Sequence, residues 1–326
     1  MVRNPTVRRR SPGLLGGPEL SVVIAPGAKA IRFCEGRMNI NLRGPQRIVC
    51  LTEETTETLY LLGEQDRIVG ISGFTCRPAE ARRDKPKVSA FTSAKIDKIL
   101  ELRPDLVLGF SDLQAQIAKE LIQAGVNVLV FNQRSLEEIF KMILTLARIV
   151  CAESAGMALV ERLRSELDRI EASARRFRRR PRVFFEEWMD PLISGIRWVD
   201  ELIEIAGGEP VFPELREQRL AKGRVVEPGA VIAANPSVLI PSWCGRKVSK
   251  EKIRAREGWQ TVAAVRGGHI YEVKSTYILQ PGPAALTEGV RQLHAILARV
   301  VGSEPPRDLA PEEPTDPDLV AQEDGV

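Results

Sequence analysis

Residues 153–178 constrain this chain more than any other stretch. Apart from Gly156 they hold no glycine or proline. Met157, Val160, Leu163, Leu167, Ile170, Ala174 and Phe177 recur there at helical spacing, with arginine and glutamate on the opposite face. The pattern predicts one helix on the order of 40 Å long, at ~1.5 Å per residue. That exceeds what a crossover between neighbouring strands needs. On both sides of it, short apolar runs alternate with amphipathic ones. The long helix therefore separates two stretches of α/β pattern.

Upstream, residues 47–51, 68–71, 106–110 and 126–131 predict strands, and 95–103, 112–124 and 135–150 predict helices. Thr52 to Thr58 supplies a helix start and Gly63 its stop. Downstream, 183–188, 237–243 and 269–273 predict strands, and 198–206, 228–235 and 283–301 predict helices. Alternation of this kind implies parallel βαβ units. The nearly continuous apolar strands fit a sheet covered on both faces. An internal echo supports two related halves. A short helix runs into Pro104-Asp105-Leu106-Val107-Leu108 and then Phe110, and another into Pro236-Ser237-Val238-Leu239-Ile240 and then Trp243. The expected fold is α/β: two Rossmann-like lobes joined by one long backbone helix, with a ligand cleft between the lobes. The expected boundaries are an irregular leader 1–45, an N-terminal lobe 46–152, a linking helix 153–180, a C-terminal lobe 181–302 and a disordered acidic tail 303–326.

Charge and hydropathy narrow the function classes. The 47 basic and 43 acidic residues nearly balance, and aromatic residues are only 5% of the chain. No basic patch interleaved with aromatics is present, so a nucleic-acid partner is not expected. The longest apolar runs fall far short of the ~20 residues a membrane helix needs, so no membrane insertion is expected either. The N-terminus is basic at Arg8, Arg9 and Arg10 but lacks the apolar core of an export signal: Leu14-Leu15 meets Gly16-Gly17-Pro18, and residues 21–25 stop at Pro26-Gly27. The chain as it stands predicts a cytoplasmic monomer. Met38 precedes the first strand and offers another start, and a misassigned start would leave a periplasmic or extracytoplasmic location open. Five cysteines, Cys34, Cys50, Cys76, Cys151 and Cys244, read as free thiols.

Catalytic signatures are missing. The sequence has no glycine-rich phosphate loop, no H-E-x-x-H, no C-x-x-C and no G-x-S-x-G. Its two histidines, His269 and His294, read as ordinary turn and helix residues, so neither a metal site nor a catalytic cofactor is expected. Glu186-Glu187 closes a strand, and alternation points one carboxylate at the cleft. It could orient a ligand or act as an acid/base pair. Arg197 and Trp198 follow nearby. Phe74, Phe91, Phe110, Trp188, Trp243 and Tyr277 stand near strand ends or the loops after them, where parallel sheets bind ligands. Together they describe a large, flat-walled, mostly neutral cleft.

The motifs Arg47-Ile48-Val49, Thr56-Glu57 to Gly63, Ile68-Val69-Gly70-Ile71-Ser72, Lys87-Val88, Ile96-Asp97-Lys98-Ile99 and Leu102-Arg103-Pro104-Asp105-Leu106-Val107 resemble the helical-backbone class of ABC-transporter substrate-binding proteins. The likeness spans residues 46–302 and is strongest to the vitamin B12 (cobalamin) binders. It implies a non-enzymatic corrinoid binder, either an importer's substrate-binding protein or a cytoplasmic relative of one. By position it implies that Phe74, Phe91 and Phe110 line the first-lobe wall, and that Trp188 and Tyr277 fall in ligand-facing loops. It also implies a permease partner docked through one acid on each lobe. Asp97 holds the first position. Gly229 falls at the second, with Glu227 two residues earlier. The alternatives are a ferric-siderophore or haem binder of the same fold, or a corrinoid- or metal-handling enzyme that uses Glu186 and Glu187.

Overall fold

The computed structural model describes residues 44–312. Its first lobe carries strands β1 (Ile48–Cys50), β2 (Ile68–Ser72), β3 (Lys87–Ser89), β4 (Leu106–Phe110) and β5 (Val128–Phe131). All pair in parallel in the order β3-β2-β1-β4-β5. Helices α1 (Glu53–Leu61), α2 (Ala79–Asp84), α3 (Ile96–Glu101), α4 (Ala115–Gln123) and α5 (Leu136–Ile149) connect and cover them. Ser135 starts α5 by accepting a hydrogen bond from the Glu138 amide at 3.2 Å, and Glu137 and Glu138 complement the positive end of the helix.

Helix α6 (Glu153–Ala174) leads to the second lobe. There β6 (Arg182–Met189) pairs in parallel with β8 (Glu209–Pro210) and β9 (Val238–Pro241), and antiparallel with β7 (Leu192–Ser194). The lobe is completed by α7 (Arg197–Ile205), α8 (Pro228–Ala234), α9 (Lys250–Arg254), α10 (Ala263–Arg266), α11 (Ser275–Ile278) and α12 (Val290–Val300). The sequence echo has a structural counterpart: β4 lies parallel beside β1, as β9 lies parallel beside β6.

Alternation along the strands distributes the core. Ile48 and Cys50 face one apolar cluster while Val49 and Leu51 face another. In the second lobe Val183, Phe185, Val238 and Ile240 join the first of these clusters, and Phe184 and Leu239 enter a third. One core thus runs from β1 through α5, α6 and α7 to β6. The linking helix is glued to both lobes by the burial of Leu163, Leu167 and Ile170, and the hydrophobic effect holds the lobes as one body.

Four elements differ from expectation. Helix α6 stops at Ala174, so its length is about 33 Å. Phe177 has left it and stacks on His294 at 5.2 Å. Met157, at the head of the predicted stripe, is 61% exposed. Residues 269–273 make only a single bridge, Leu239 to Ile270, and the last helix opens with a widened turn over Ala285–Gly289. Within the expected tail, residues 303–312 are structured. Arg307–Leu309 forms a 3-10 turn, Leu309 is buried in the main core, Asp308 pairs with Arg169, and Glu312 pairs with Arg291 at 2.9 Å. The remaining tail, the leader up to residue 43, Met38 and Cys34 lie outside the described residues.

Candidate functional site

The turns that follow the strands of the first lobe meet the second lobe. After β1, the Glu57 carboxylate accepts from the Ala284 amide at 3.0 Å. Gly282 passes so close to α1 that a Cβ there would lie 2.5 Å from Glu54 Cβ, which explains the glycine. After β5, Gln133 donates to the Pro281 carbonyl at 3.0 Å, and Arg219 donates to the Asn132 carbonyl at 3.0 Å. The Leu136 amide donates to Glu201 at 2.7 Å.

Three predicted aromatics lie in the first lobe at or just after the carboxyl ends of β2, β3 and β4. Phe74 is 54% exposed, its amide bonded to Ser72 Oγ at 3.2 Å. Phe91 is half-buried and Phe110 is buried. One residue the sequence reading missed ties two of them together. Buried Gln114 accepts from the Phe110 amide at 2.9 Å and donates to the Phe91 carbonyl at 2.9 Å. Gln114 reaches both because Ser111, at φ +65°, bends the chain sharply as β4 ends. A glutamine inside a helical pattern carries no sequence signal for such a role.

On the second-lobe side, the carboxylates are spoken for. Glu186 is buried and forked by Arg256 (2.5 and 2.8 Å), and it also accepts from Trp243 Nε1 at 2.9 Å. Trp243 is itself only 4% exposed and packs in the outer core of this lobe with Phe184 and Trp259. Glu186 and Trp243 are thus buried within the lobe, against the expectation of a cleft wall. Strand β9 ends at Pro241, and Trp243, two residues on, joins the apolar cluster that includes Phe184 and Leu239. Glu187 pairs with Arg224 at 2.5 and 3.0 Å. Arg197 is taken up by Glu201 at 2.8 Å and Glu217 at 3.3 Å. Trp188 and Tyr277 are half-buried, and Tyr277 lies in α11 instead of a loop.

The surroundings of these aromatics are not neutral. Guanidinium groups stand over three of the predicted aromatics: Arg134 over Phe110 at 4.6 Å, Arg246 over Trp188 at 5.3 Å and Arg77 over Tyr277 at 5.3 Å. The first turn of α1 adds buried acids. Burial pushes Glu53 up to about 8 and Glu54 up to about 7, and it raises Glu57 despite Arg77 at 3.1 Å. Glu54 accepts from Thr52 Oγ1 at 2.6 Å, while its other oxygen is buried without a partner. The side-chain Oε1 of Gln133 and the Nε atoms of Arg134 and Arg224 are orphaned in the same way. Sequence reading found none of these, because each depends on which distant residue fails to arrive.

Asp97, in the first turn of α3, and Glu227, at the start of α8, are both exposed, as is Gly229. His294 is fully buried between the Ala206 carbonyl and Ser173 Oγ, each at 3.0 Å. None of Cys50, Cys76, Cys151 and Cys244 is in a disulfide, and burial pushes Cys50 up to about 12. Among the described residues no three His, Cys, Asp or Glu side chains gather as a metal-binding set. Cavities of about 700 Å³, beside Leu136 and Glu201, and about 560 Å³, beside Asp112 and Ile122, open elsewhere, and none of the nine predicted ligand residues lines either.

Residues 48–277 match the family model described as "Periplasmic binding protein". An uncharacterized ABC transporter substrate-binding lipoprotein of Bacillus subtilis is 26% identical over 264 residues, covering 76% of this chain and 79% of that protein. A vitamin B12-binding protein of Vibrio parahaemolyticus is 28% identical over 245 residues, covering 74% and 86%. Among solved structures, the periplasmic heme-binding protein of Roseiflexus sp. RS-1 superposes with a TM-score of 0.66 at 24% identity, covering 78% of this chain and all of that one (100%). That likeness is one of fold, and it has the two-lobed α/β architecture. Neither the family nor these relatives support the expectation of a cytoplasmic chain. Among the described residues no helix is long and apolar enough to cross a membrane.

Proposed function

The chain belongs to the periplasmic binding protein family, and on that premise we propose that it is the substrate-binding component of an ABC importer and holds a corrinoid between its lobes. The observation that carries this reading is aromatic surface left at least partly accessible on both lobes, at or just after strand ends for all but Tyr277, which lies in α11. Phe74 and Phe91 come from one side, Trp188 and Tyr277 from the other. Flat aromatic faces suit the ring and amide periphery of a corrinoid, giving large contact area for little ordering cost. The name of the Vibrio relative supports the same ligand class.

The protein acts on this reading by holding its ligand and leaving it chemically unchanged. Glu186 and Glu187, the pair that could serve as acid and base, are each neutralised by an arginine. Phe110 contributes beneath Arg134, and Gln114 fixes the spacing between Phe91 and Phe110. Asp97 and Glu227 present exposed carboxylates for a permease.

A second reading, haem or a ferric siderophore, is favoured by one specific observation, the buried guanidinium of Arg134. Calorimetric and visible-absorbance titration with cyanocobalamin, hemin and ferrichrome separates the two. The corrinoid reading expects saturable one-to-one binding of cyanocobalamin. Preference for hemin or ferrichrome installs the second reading. Conversion of a bound corrinoid into a new species over hours would put the enzyme alternative ahead of both.

A further inference from the structure

We propose that Arg134 anchors an anionic group of the bound ligand, a carboxylate or a phosphate, at the junction of the lobes, with Arg224 as a second donor. The inference deepens the reading of this junction as the ligand site and does not depend on which chelate fills it.

Arg134 stands just beyond the carboxyl end of β5 and is only 7% exposed. Its guanidinium lies over Phe110, one terminal nitrogen donates to the Gln133 backbone carbonyl at 3.1 Å, and Nε has no partner. Among the described residues no carboxylate comes within ion-pair distance of it. Glu138 is turned to the Arg134 backbone amide at 2.5 Å and to Arg219 at 3.7 Å. Arg224, 1% exposed, gives both terminal nitrogens to Glu187 and leaves its own Nε buried and unpartnered.

A buried guanidinium is costly unless an acid meets it, and arginines in protein interiors are almost always paired. Here like charges make matters worse. Burial, then Arg219, then Arg224 pull the pKa of Arg134 down, with Asp112 and Glu138 only partly opposing. A planar fork with an unused N–H edge matches the two oxygens of a carboxylate or phosphate. The site is thus short of one anion, at the place where the two lobes meet.

Two sets of measurements test this on the full chain, with Arg134→Gln and Arg134→Lys beside the wild type. The first uses simple anions. At matched ionic strength, citrate and inorganic phosphate raise the unfolding midpoint of the wild type over chloride. The Gln variant loses that rise, and the Lys variant, lacking the fork, loses most of it. The second uses ligand pairs that differ at the anion: hemin against hemin dimethyl ester for a carboxylate, cyanocobalamin against dicyanocobinamide for a phosphate. In whichever pair binds, Arg134→Gln weakens the anionic member roughly 10- to 100-fold, as expected for a charged hydrogen bond, and leaves the capped member within a few-fold. If the anions protect all three proteins equally, or if both members of a bound pair weaken alike, the anchor is wrong. If neither pair binds while citrate protection still depends on Arg134, the tetrapyrrole reading falls and the anchor stands.

Discussion

Replacing Glu54 by glutamine should change how stability depends on pH. Glu54 is 1% exposed in the first turn of α1, beside Gly282 of the other lobe. Burial, the largest cause, and the nearby Glu57 push its carboxyl from 4.5 up to about 7, although the Thr52 hydroxyl opposes them. In the unfolded chain it ionises near 4.5. Between those values the folded state holds a proton that the unfolded state has released. Its contribution to stability is therefore fully present below about pH 4.5 and is lost as pH rises through about 7. Moving a carboxyl from 4.5 to about 7 corresponds to about 3 kcal/mol. Glutamine keeps the acceptor for Thr52 and never ionises. Glu54→Gln should match the wild type near pH 4 and exceed it by about 3 kcal/mol at pH 8.5. Urea unfolding across that range, with the slope m held constant, reads the difference directly. A gap that stays flat with pH, or one that favours the wild type at pH 8.5, would refute the reasoning.

Two further outcomes follow from single contacts. Arg256→Met strands the Glu186 carboxylate in the second-lobe core and should cost about 3–5 kcal/mol, with altered tryptophan emission because Trp243 shares that carboxylate. Chemical denaturation with fluorescence detection measures both. Trp198→Phe removes the buried hydrogen bond from Nε1 to the Ile278 carbonyl at 2.9 Å. It should lower stability by about 1–3 kcal/mol for the carbonyl left unpaired, measurable as a lower urea midpoint.

The fold was legible where information is local. The stripe in residues 153–178 marks α6, and its buried members Leu163, Leu167 and Ile170 carry the helix that ties the lobes together. The matching Pro104 and Pro236 segments mark β4 and β9. Residues 269–273 look strand-like because Ile270, Tyr271 and Val273 follow a Gly-Gly turn, yet a strand needs a continuous ladder, and they make one bridge, to Leu239, and a longer bond from the Val273 amide to the Pro241 carbonyl at 3.4 Å. The acidic tail reads as disordered by composition. Leu309 nonetheless docks on the core from within it. The site was less legible. Strand-end position correctly marks Phe74 and Phe91 as lying at the turns after their strands. It gives no sign that Glu186 is buried against Arg256, 70 residues away, or that Trp243 is buried as a further donor to it. The unpaired state of Arg134 is invisible in sequence for the same reason. It is defined by the absence of an acid in three dimensions.

The central claim is that one ligand is gripped by both lobes. Calorimetric titration of cyanocobalamin into the wild type, Phe91→Ala and Trp188→Ala tests it most directly, since each variant trims one lobe. The account predicts one site per chain and at least a tenfold loss in each variant, roughly the truncation cost of a buried aromatic contact. No saturable binding, or binding indifferent to one of the two lobes, would contradict it.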